Sequence, residues 1–154
     1  MEKIKKNNIY GVFGLLLLLL FTGSCDKKWP QNGNLDGQWQ LQEIVDKQTN
    51  DTIHPRRLYY RIQLDMVELT SLNGDPAQNV IGLFDYNKEG KQVRFYEFHE
   101  RNYATTGAYD KITDETVLYP YGLFGLDTYF QIIRADGKQL ILESERSRLK
   151  MRSF

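Results

Sequence analysis

Few residues of the types that perform chemistry occur in this sequence, and their spacing matches no catalytic or metal site. The histidines are His54 and His99. A zinc-protease helix would need a second histidine three residues after Glu100, but position 103 is a tyrosine. The sequence also lacks a G-x-S-x-G nucleophile elbow and a phosphate-binding glycine loop. We therefore predict no enzyme, no metal and no cofactor.

One segment comes close to the spacing of a calcium-binding loop. Positions one, three, five, six and twelve of such a loop would be Asn32, Asn34, Asp36, Gly37 and Glu43. An asparagine replaces the aspartate expected at the first position, and the residues from 38 to 45 alternate as a strand where a helix is required. We interpret the segment as polar chain with turn residues.

The single cysteine of the chain follows a hydrophobic leader. Lys3, Lys5 and Lys6 precede an apolar run of 13 residues, from 9 to 21. A positive start and an apolar run of this length are typical of a signal peptide, because a membrane-spanning helix needs about 20 apolar residues. We predict a signal peptide over residues 1–24. The alternative is a short membrane anchor that is not cleaved.

The end of the leader, Phe21-Thr22-Gly23-Ser24-Cys25, resembles a bacterial lipobox, although Thr22 stands where leucine is commonest. The resemblance implies acylation of Cys25, which would bind the protein to the lipid bilayer of the cell envelope. Residues 25–34 would then be the lipidated cysteine and a polar tether, whose nine residues after Cys25 span at most about 30 Å. Asp26 favours inner-membrane retention only in some bacteria. We expect the outer membrane and leave its leaflet open.

Length and charge bound the fold and the partners. A chain of 154 residues fits one domain. Aromatic residues make up 13% of the chain, including 10 Tyr, which favours β structure. The 20 basic residues balance the 20 acidic ones. No basic excess is available to neutralise phosphates, so we predict no nucleic-acid partner.

Short alternating runs separated by turn residues predict an all-β fold. In the clearest run, from 57 to 66, every second residue from Leu58 to Met66 is apolar. The alternation changes phase after Met66, which predicts a bulge or sharp bend at Met66-Val67. We count about eight strands, which could form a barrel or a sandwich. The short connections favour an eight-stranded antiparallel up-and-down barrel.

The start of the first strand, Gly37-Gln38-Trp39, resembles the G-x-W signature of lipocalins and other calycins. The last strand, from 149 to 154, has the apolar-basic pattern of lipocalin-like bacterial lipoproteins. The resemblance implies a barrel domain over residues 35–154 that carries a small hydrophobic ligand. It also implies that a basic residue of the last strand, Arg148 or Arg152, packs over Trp39.

The inward faces of the predicted strands, together with tyrosines of the aromatic segment from 100 to 126, supply candidate ligand-binding residues. These are Tyr60, Ile62, Leu64, Phe84, Tyr86, Phe95, Tyr119, Tyr121 and Phe130. The first hypothesis is a barrel that binds or sequesters a small apolar or amphipathic molecule under a lid formed by that segment. The second is a scaffold with a filled barrel that docks an envelope protein partner through an exposed aromatic surface.

Overall fold

A computed structural model describes residues 30–72, 77–101 and 110–154. The predicted signal peptide and Cys25 lie outside the described residues. Within these three ranges the chain forms nine strands, which are β1 (Gly37–Asp46), β2 (Thr52–Ile53), β3 (Leu58–Gln63), β4 (Met66–Ser71), β5 (Val80–Asn87), β6 (Gln92–Glu100), β7 (Asp127–Ala135), β8 (Gln139–Glu143) and β9 (Ser147–Ser153). Two 3-10 helices span Gly33–Leu35 and Glu115–Tyr121.

The strands form a closed antiparallel barrel. From β3 to β9 each strand pairs with the next one in the chain, and β1 pairs with both β3 and β9. Eight strands therefore make the wall, while β2 pairs only with the end of β1 at Ile44 and Val45. The predicted eight-stranded up-and-down barrel is confirmed.

The interior of the barrel is apolar because alternate residues of each strand point inward. On β1 these are Trp39, Leu41 and Ile44, and a shift in register between Leu41 and Glu43 accounts for the change from a spacing of two to three. Similar shifts occur in β6, opposite Gly82 of β5, and in β7. Such bulges increase the local twist that barrel closure requires.

Trp39 lies at the end of the barrel where the described chain begins. Its indole Nε1 donates a hydrogen bond to the carbonyl oxygen of Leu35 at 2.9 Å. The prediction that Arg152 covers this ring is wrong, because Arg152 points outward and its Nε donates to Gln40 Oε1 at 2.7 Å. Arg148 is likewise exposed, and its Nε lies 3.9 Å from Glu143 Oε2. On β9 it is Leu149 and Met151 that face the interior.

The change of phase near Met66 marks a hairpin and not a bend within one strand. Gln63 pairs with Met66, so Leu64 and Asp65 form a two-residue turn between β3 and β4. Leu64 has φ of 58° and a side chain that is 40% exposed. The expectations of a bulge at Met66-Val67 and of Leu64 inside the barrel are therefore wrong. Two alternating runs of opposite phase joined by a tight turn produce the same pattern as a bent strand.

Two glycines allow the cost of a clash to be separated from the cost of backbone strain. Gly122 and Gly137 both have φ of 80°. A Cβ at Gly122 would overlap the Leu149 side chain, while a Cβ at Gly137 meets nothing closer than 4.0 Å. We expect Gly137→Ala to lower the free energy of unfolding by about 1 kcal/mol, and Gly122→Ala by about 3 kcal/mol or more. Equal losses in urea denaturation would contradict this packing.

Candidate ligand-binding groove

An aromatic cluster fills the middle of the barrel. Phe95 is at its centre, with ring centroids 5.8 Å from Tyr60, 5.5 Å from Phe84 and 5.8 Å from Phe130. These separations are typical of directly packed aromatic rings. All four side chains are at most 2% exposed. The rings proposed to line an open cavity therefore pack against one another.

The 3-10 helix Glu115–Tyr121 closes the end of the barrel opposite Trp39. Its last residue, Tyr121, is fully buried, 6.3 Å from the Tyr60 ring between centroids. The Tyr60 hydroxyl donates to the Tyr121 carbonyl oxygen at 2.6 Å. The Tyr121 hydroxyl in turn donates to the Gln78 carbonyl oxygen at 3.0 Å. Burial raises the pKa of Tyr60 well above its usual value, so its hydroxyl stays protonated and remains a donor.

The remaining candidate residues occupy three different environments. Ile62 is buried in the core, and Tyr86 is partly buried against it. Tyr119 is only partly buried, and its hydroxyl donates to Glu115 Oε1 at 2.6 Å. Leu64 lies in the exposed β3–β4 turn. The structure therefore brings Tyr60, Ile62, Phe84, Phe95, Tyr121 and Phe130 together in the core, with Tyr86 at its edge.

An open groove of about 730 Å³ lies on the outside of the wall. The outer face of β7 lines it, together with Gln92 at the start of β6. On the other side it is bounded by the end of β8 and the β8–β9 turn, residues 143–146, and Lys47 and Phe124 complete its edge. A volume of this size falls within the range of small-molecule sites, roughly 300–1,000 Å³.

Alternate residues of β7 line the groove. Asp127, Tyr129 and Gln131 point outward, while Phe130 between them points into the core. The Tyr129 side chain is 50% exposed and that of Ile133, near the end of the strand, is 53% exposed. The groove thus combines apolar surface with polar groups, as ligand-binding sites generally do.

A row of polar side chains crosses the groove at the level of Gln131. Gln131 pairs with Gln92 on β6 and with Glu143 on β8, so all three side chains project from the same face of the wall. Glu143 accepts a hydrogen bond from Lys47 Nζ at 3.1 Å. Neither glutamine side chain makes a hydrogen bond to the described residues. Two carboxamides are therefore available to a ligand.

Ion pairs hold the aromatic surface of the groove in place. Arg94 donates two hydrogen bonds to Asp127, Nε to Oδ1 at 2.8 Å and Nη2 to Oδ2 at 2.6 Å. Its guanidinium carbon lies 5.3 Å from the Tyr129 ring centroid and 4.1 Å from that of Tyr96. These hydrogen bonds lower the pKa of Asp127, so the carboxylate stays ionised and the pair persists at neutral pH.

The opposite wall is built around Arg146. Its guanidinium carbon lies 4.0 Å from the ring centroid of Phe124 and 5.7 Å from that of Tyr119. Its Nη2 is 3.6 Å from Asp46 Oδ2, and its Nε is buried without a hydrogen bond to the described residues. The contact with Phe124 and the ion pair with Asp46 therefore both position this side chain.

The groove residues were absent from the sequence-based candidates for two reasons. Residues 143–148 form a charged run between two strands, and such a run is ordinarily a solubility feature. The sequence-based candidates lie on inward faces, whereas the groove is lined by outward-facing residues of β7. The alternation of Asp127, Tyr129 and Gln131 with Phe130 was visible in the sequence, but their proximity to Lys47 required the closed barrel.

The described residues contain no group of three or more His, Cys, Asp or Glu side chains that could hold a metal ion. Among the helices in the same ranges, none is both long and apolar enough to cross a membrane.

A closed eight-stranded antiparallel barrel with a 3-10 helix across one end defines the lipocalin-like class of proteins, whose fold generally serves ligand binding and not catalysis. The chain belongs to the lipocalin-like domain family, whose model matches residues 18–154. The family expected from Gly37 and Trp39 is therefore confirmed.

Two crystal structures share this fold. A lipocalin-like protein from Bacteroides uniformis ATCC 8492 is 17% identical, with a TM-score of 0.58 over 79% of this chain and 100% of the other. An uncharacterized protein from Bacteroides eggerthii DSM 20697 is 12% identical, with a TM-score of 0.53 over 77% of this chain and 98% of the other. None of the curated proteins matches the chain.

The contact between Tyr60 and Tyr121 can be tested by removing one oxygen atom. We expect Tyr60→Phe to lower the free energy of unfolding by about 1 kcal/mol, because a buried hydrogen bond is lost while the ring remains. Tyr129→Phe is the matched control and should change stability by less than about 0.5 kcal/mol, since it removes a hydroxyl from a half-exposed side chain. Urea denaturation measures both. A Tyr60→Phe protein as stable as wild type would show that this bond does not hold the helix on the barrel.

Proposed function

We propose that this protein is a lipid-anchored, non-catalytic protein of the cell envelope that binds a small amphipathic molecule. We place the ligand in the outer groove and not in the barrel. The observation that carries this choice is the packing of Phe95, whose neighbours occupy the interior. A ligand there would have to displace buried aromatic rings, whereas the groove already offers about 730 Å³.

The apolar part of an amphipathic ligand would lie against Tyr129 and Ile133, the two exposed apolar side chains of the groove. Its polar part would face Gln92 and Gln131. A groove built on a filled barrel requires little reorganisation when the ligand binds, because its strands are held from inside by the core. Such preorganisation reduces the entropic cost of binding.

The position of the groove suits a protein tethered at Cys25. The Asn32 side chain donates to the Leu64 carbonyl oxygen and to Asp36 Oδ1, both at 2.7 Å, so the folded body begins at Asn32. Six residues, 26 to 31, separate Asn32 from Cys25, which allows a span of about 25 Å at most. From that end β1 leads to Asp46, next to Lys47 in the groove. Lys47 would therefore lie at the end of the groove away from the membrane. Ile133 lies nearer the tether, because Ala135 two residues later accepts a hydrogen bond from Asn34.

Blocking the groove should remove the ligand. We expect native mass spectrometry of the full-length protein, purified from its own envelope, to show a copurified small molecule. Gln131→Trp should abolish that mass, because the indole would occupy the middle of the groove. Gln63→Trp is the matched control, since Gln63 is an exposed residue of β3 outside the groove. Retention of the mass by Gln131→Trp would place the ligand elsewhere and overturn the proposed site.

The anchor makes a separate prediction. We expect the intact mass of the wild-type protein to lack residues 1–24 and to include the acyl groups, and Cys25→Ser to carry no acyl groups because the thioether cannot form. Ser24→Ala is the control, since it keeps a small residue before the cysteine and should be acylated normally. A wild-type protein without acyl mass would contradict the lipid anchor. It would not bear on ligand binding in the groove.

A second candidate function is docking of an envelope protein on the same wall. The filled barrel and the exposed side chains of Tyr129 and Ile133 favour it. Tyr121 is excluded from such a surface because it is buried. The two candidates differ in the native mass spectrum, where docking would add the mass of a protein and not that of a small molecule.

A further inference from the structure

Most charged groups of the groove are already paired within the protein. Asp127 is bound by Arg94, and Glu143 is bound by Lys47 at 3.1 Å. The Lys47 ammonium also donates to the Ser144 carbonyl oxygen at 2.9 Å. An anionic or cationic ligand would have to compete with one of these pairs and would gain little in exchange.

The two other charged side chains of the groove, Arg146 and Glu145, also offer little to a charged ligand. Arg146 faces Asp46 at 3.6 Å and is stacked on Phe124. Glu145 is exposed at the tip of the β8–β9 turn, where water solvates its carboxylate. Among the described residues, each cationic side chain of the groove thus has an acidic partner within 4 Å, and the Arg146 Nε that lacks a hydrogen bond is buried away from solvent. A neutral ligand therefore fits the electrostatics of the groove best.

The hydrogen-bonding groups that remain available are two planar carboxamides, each of which can both donate and accept hydrogen bonds. The Gln92 and Gln131 carboxamides lie side by side on paired strands, each with one acceptor oxygen and two N–H donors. A ligand that uses both must present groups that donate and accept at closely spaced positions. Hydroxyl groups on adjacent carbon atoms do this, whereas a hydrocarbon chain does not.

The apolar contact available to the ligand is the face of an aromatic ring. Arg94 lies over the Tyr129 ring, yet the side chain remains half exposed. A flat ring with apolar C–H faces and a rim of hydroxyl groups would stack on Tyr129 while its rim reaches the carboxamides. A pyranose sugar has this construction.

We infer that the groove binds a neutral carbohydrate, with one pyranose ring stacked on Tyr129 and its hydroxyl groups bound by Gln92 and Gln131. This inference rests on the proposed function, because it names the chemical class of the amphipathic ligand. The volume of about 730 Å³ accommodates an oligosaccharide.

Binding can be tested on an array that carries neutral glycans, acidic glycans and peptides. The probe is the full-length protein in a detergent without a sugar headgroup, so that the detergent does not compete. We expect signals on neutral glycans. Isothermal titration calorimetry with a neutral trisaccharide from the array should then show that Tyr129→Ala weakens binding about tenfold or more, because the stacking surface is lost.

Tyr96→Ala is the matched control. Tyr96 also contacts the Arg94 guanidinium, at 4.1 Å from ring centroid to guanidinium carbon, but it lies outside the groove. This variant removes a tyrosine from the same stack and should leave the dissociation constant within about twofold of wild type. Gln131→Ala should weaken binding several-fold, since it removes a carboxamide that we assign to the sugar hydroxyl groups.

Three outcomes would overturn the inference. They are an array without neutral-glycan signals, signals confined to acidic glycans or peptides, and an affinity that Tyr129→Ala does not change. If a copurified mass that Gln131→Trp removes is not a saccharide, the groove is the ligand site and only the sugar assignment fails. If no such mass is found and the array is also negative, the proposed function fails as well.

Discussion

The structure depends on the packing of Phe95 inside the barrel. A barrel of eight strands is just wide enough to be filled by side chains or to hold one small ligand, and here Tyr60, Phe84 and Phe130 surround Phe95 at ring separations of 5.5 to 5.8 Å. Each ring comes from a different strand. Together with Tyr121 they hold the wall and the 3-10 helix in one arrangement.

A filled interior moves the binding surface to the outside of the wall. In a strand, side chains alternate between two faces, so the chain that packs the core also determines what faces solvent. On β7 the same segment supplies Phe130 to the core and Tyr129 to the groove. A rigid core behind Tyr129 keeps the groove in shape without a ligand, and this preorganisation is what an open binding site requires.

Much of the fold was predictable because its determinants are local in sequence. The alternation from 38 to 45 predicted a strand where β1 lies, and short turns between runs indicated an up-and-down order. Leu64 was misplaced because a two-residue turn and a bulge give the same change of phase. Only the backbone distinguishes them, through the pairing of Gln63 with Met66 and the positive φ of Leu64.

The candidate site was less predictable because its residues are distant in sequence. Lys47 and Glu143 are separated by 96 positions and meet only when β9 pairs with β1 and β8 pairs with β9. Tyr119 was assigned to ligand binding on its residue type, yet its hydroxyl is bound to Glu115. The residue type predicts that an aromatic side chain makes contacts. Its contact partners depend on the closed barrel and cannot be predicted from the residue type.

The ion pairs around the groove matter for position more than for stability. Exposed pairs such as Arg94 with Asp127 contribute little to the free energy of folding, because solvent screens them and ordering two long side chains costs entropy. Two hydrogen bonds fix the plane of the Arg94 guanidinium, however, and its carbon lies 4.1 Å from the Tyr96 ring centroid and 5.3 Å from that of Tyr129. The pair thereby restricts the orientation of the Tyr129 ring. A ring held in one orientation offers a stacking surface whose conformational entropy has already been lost before a ligand arrives.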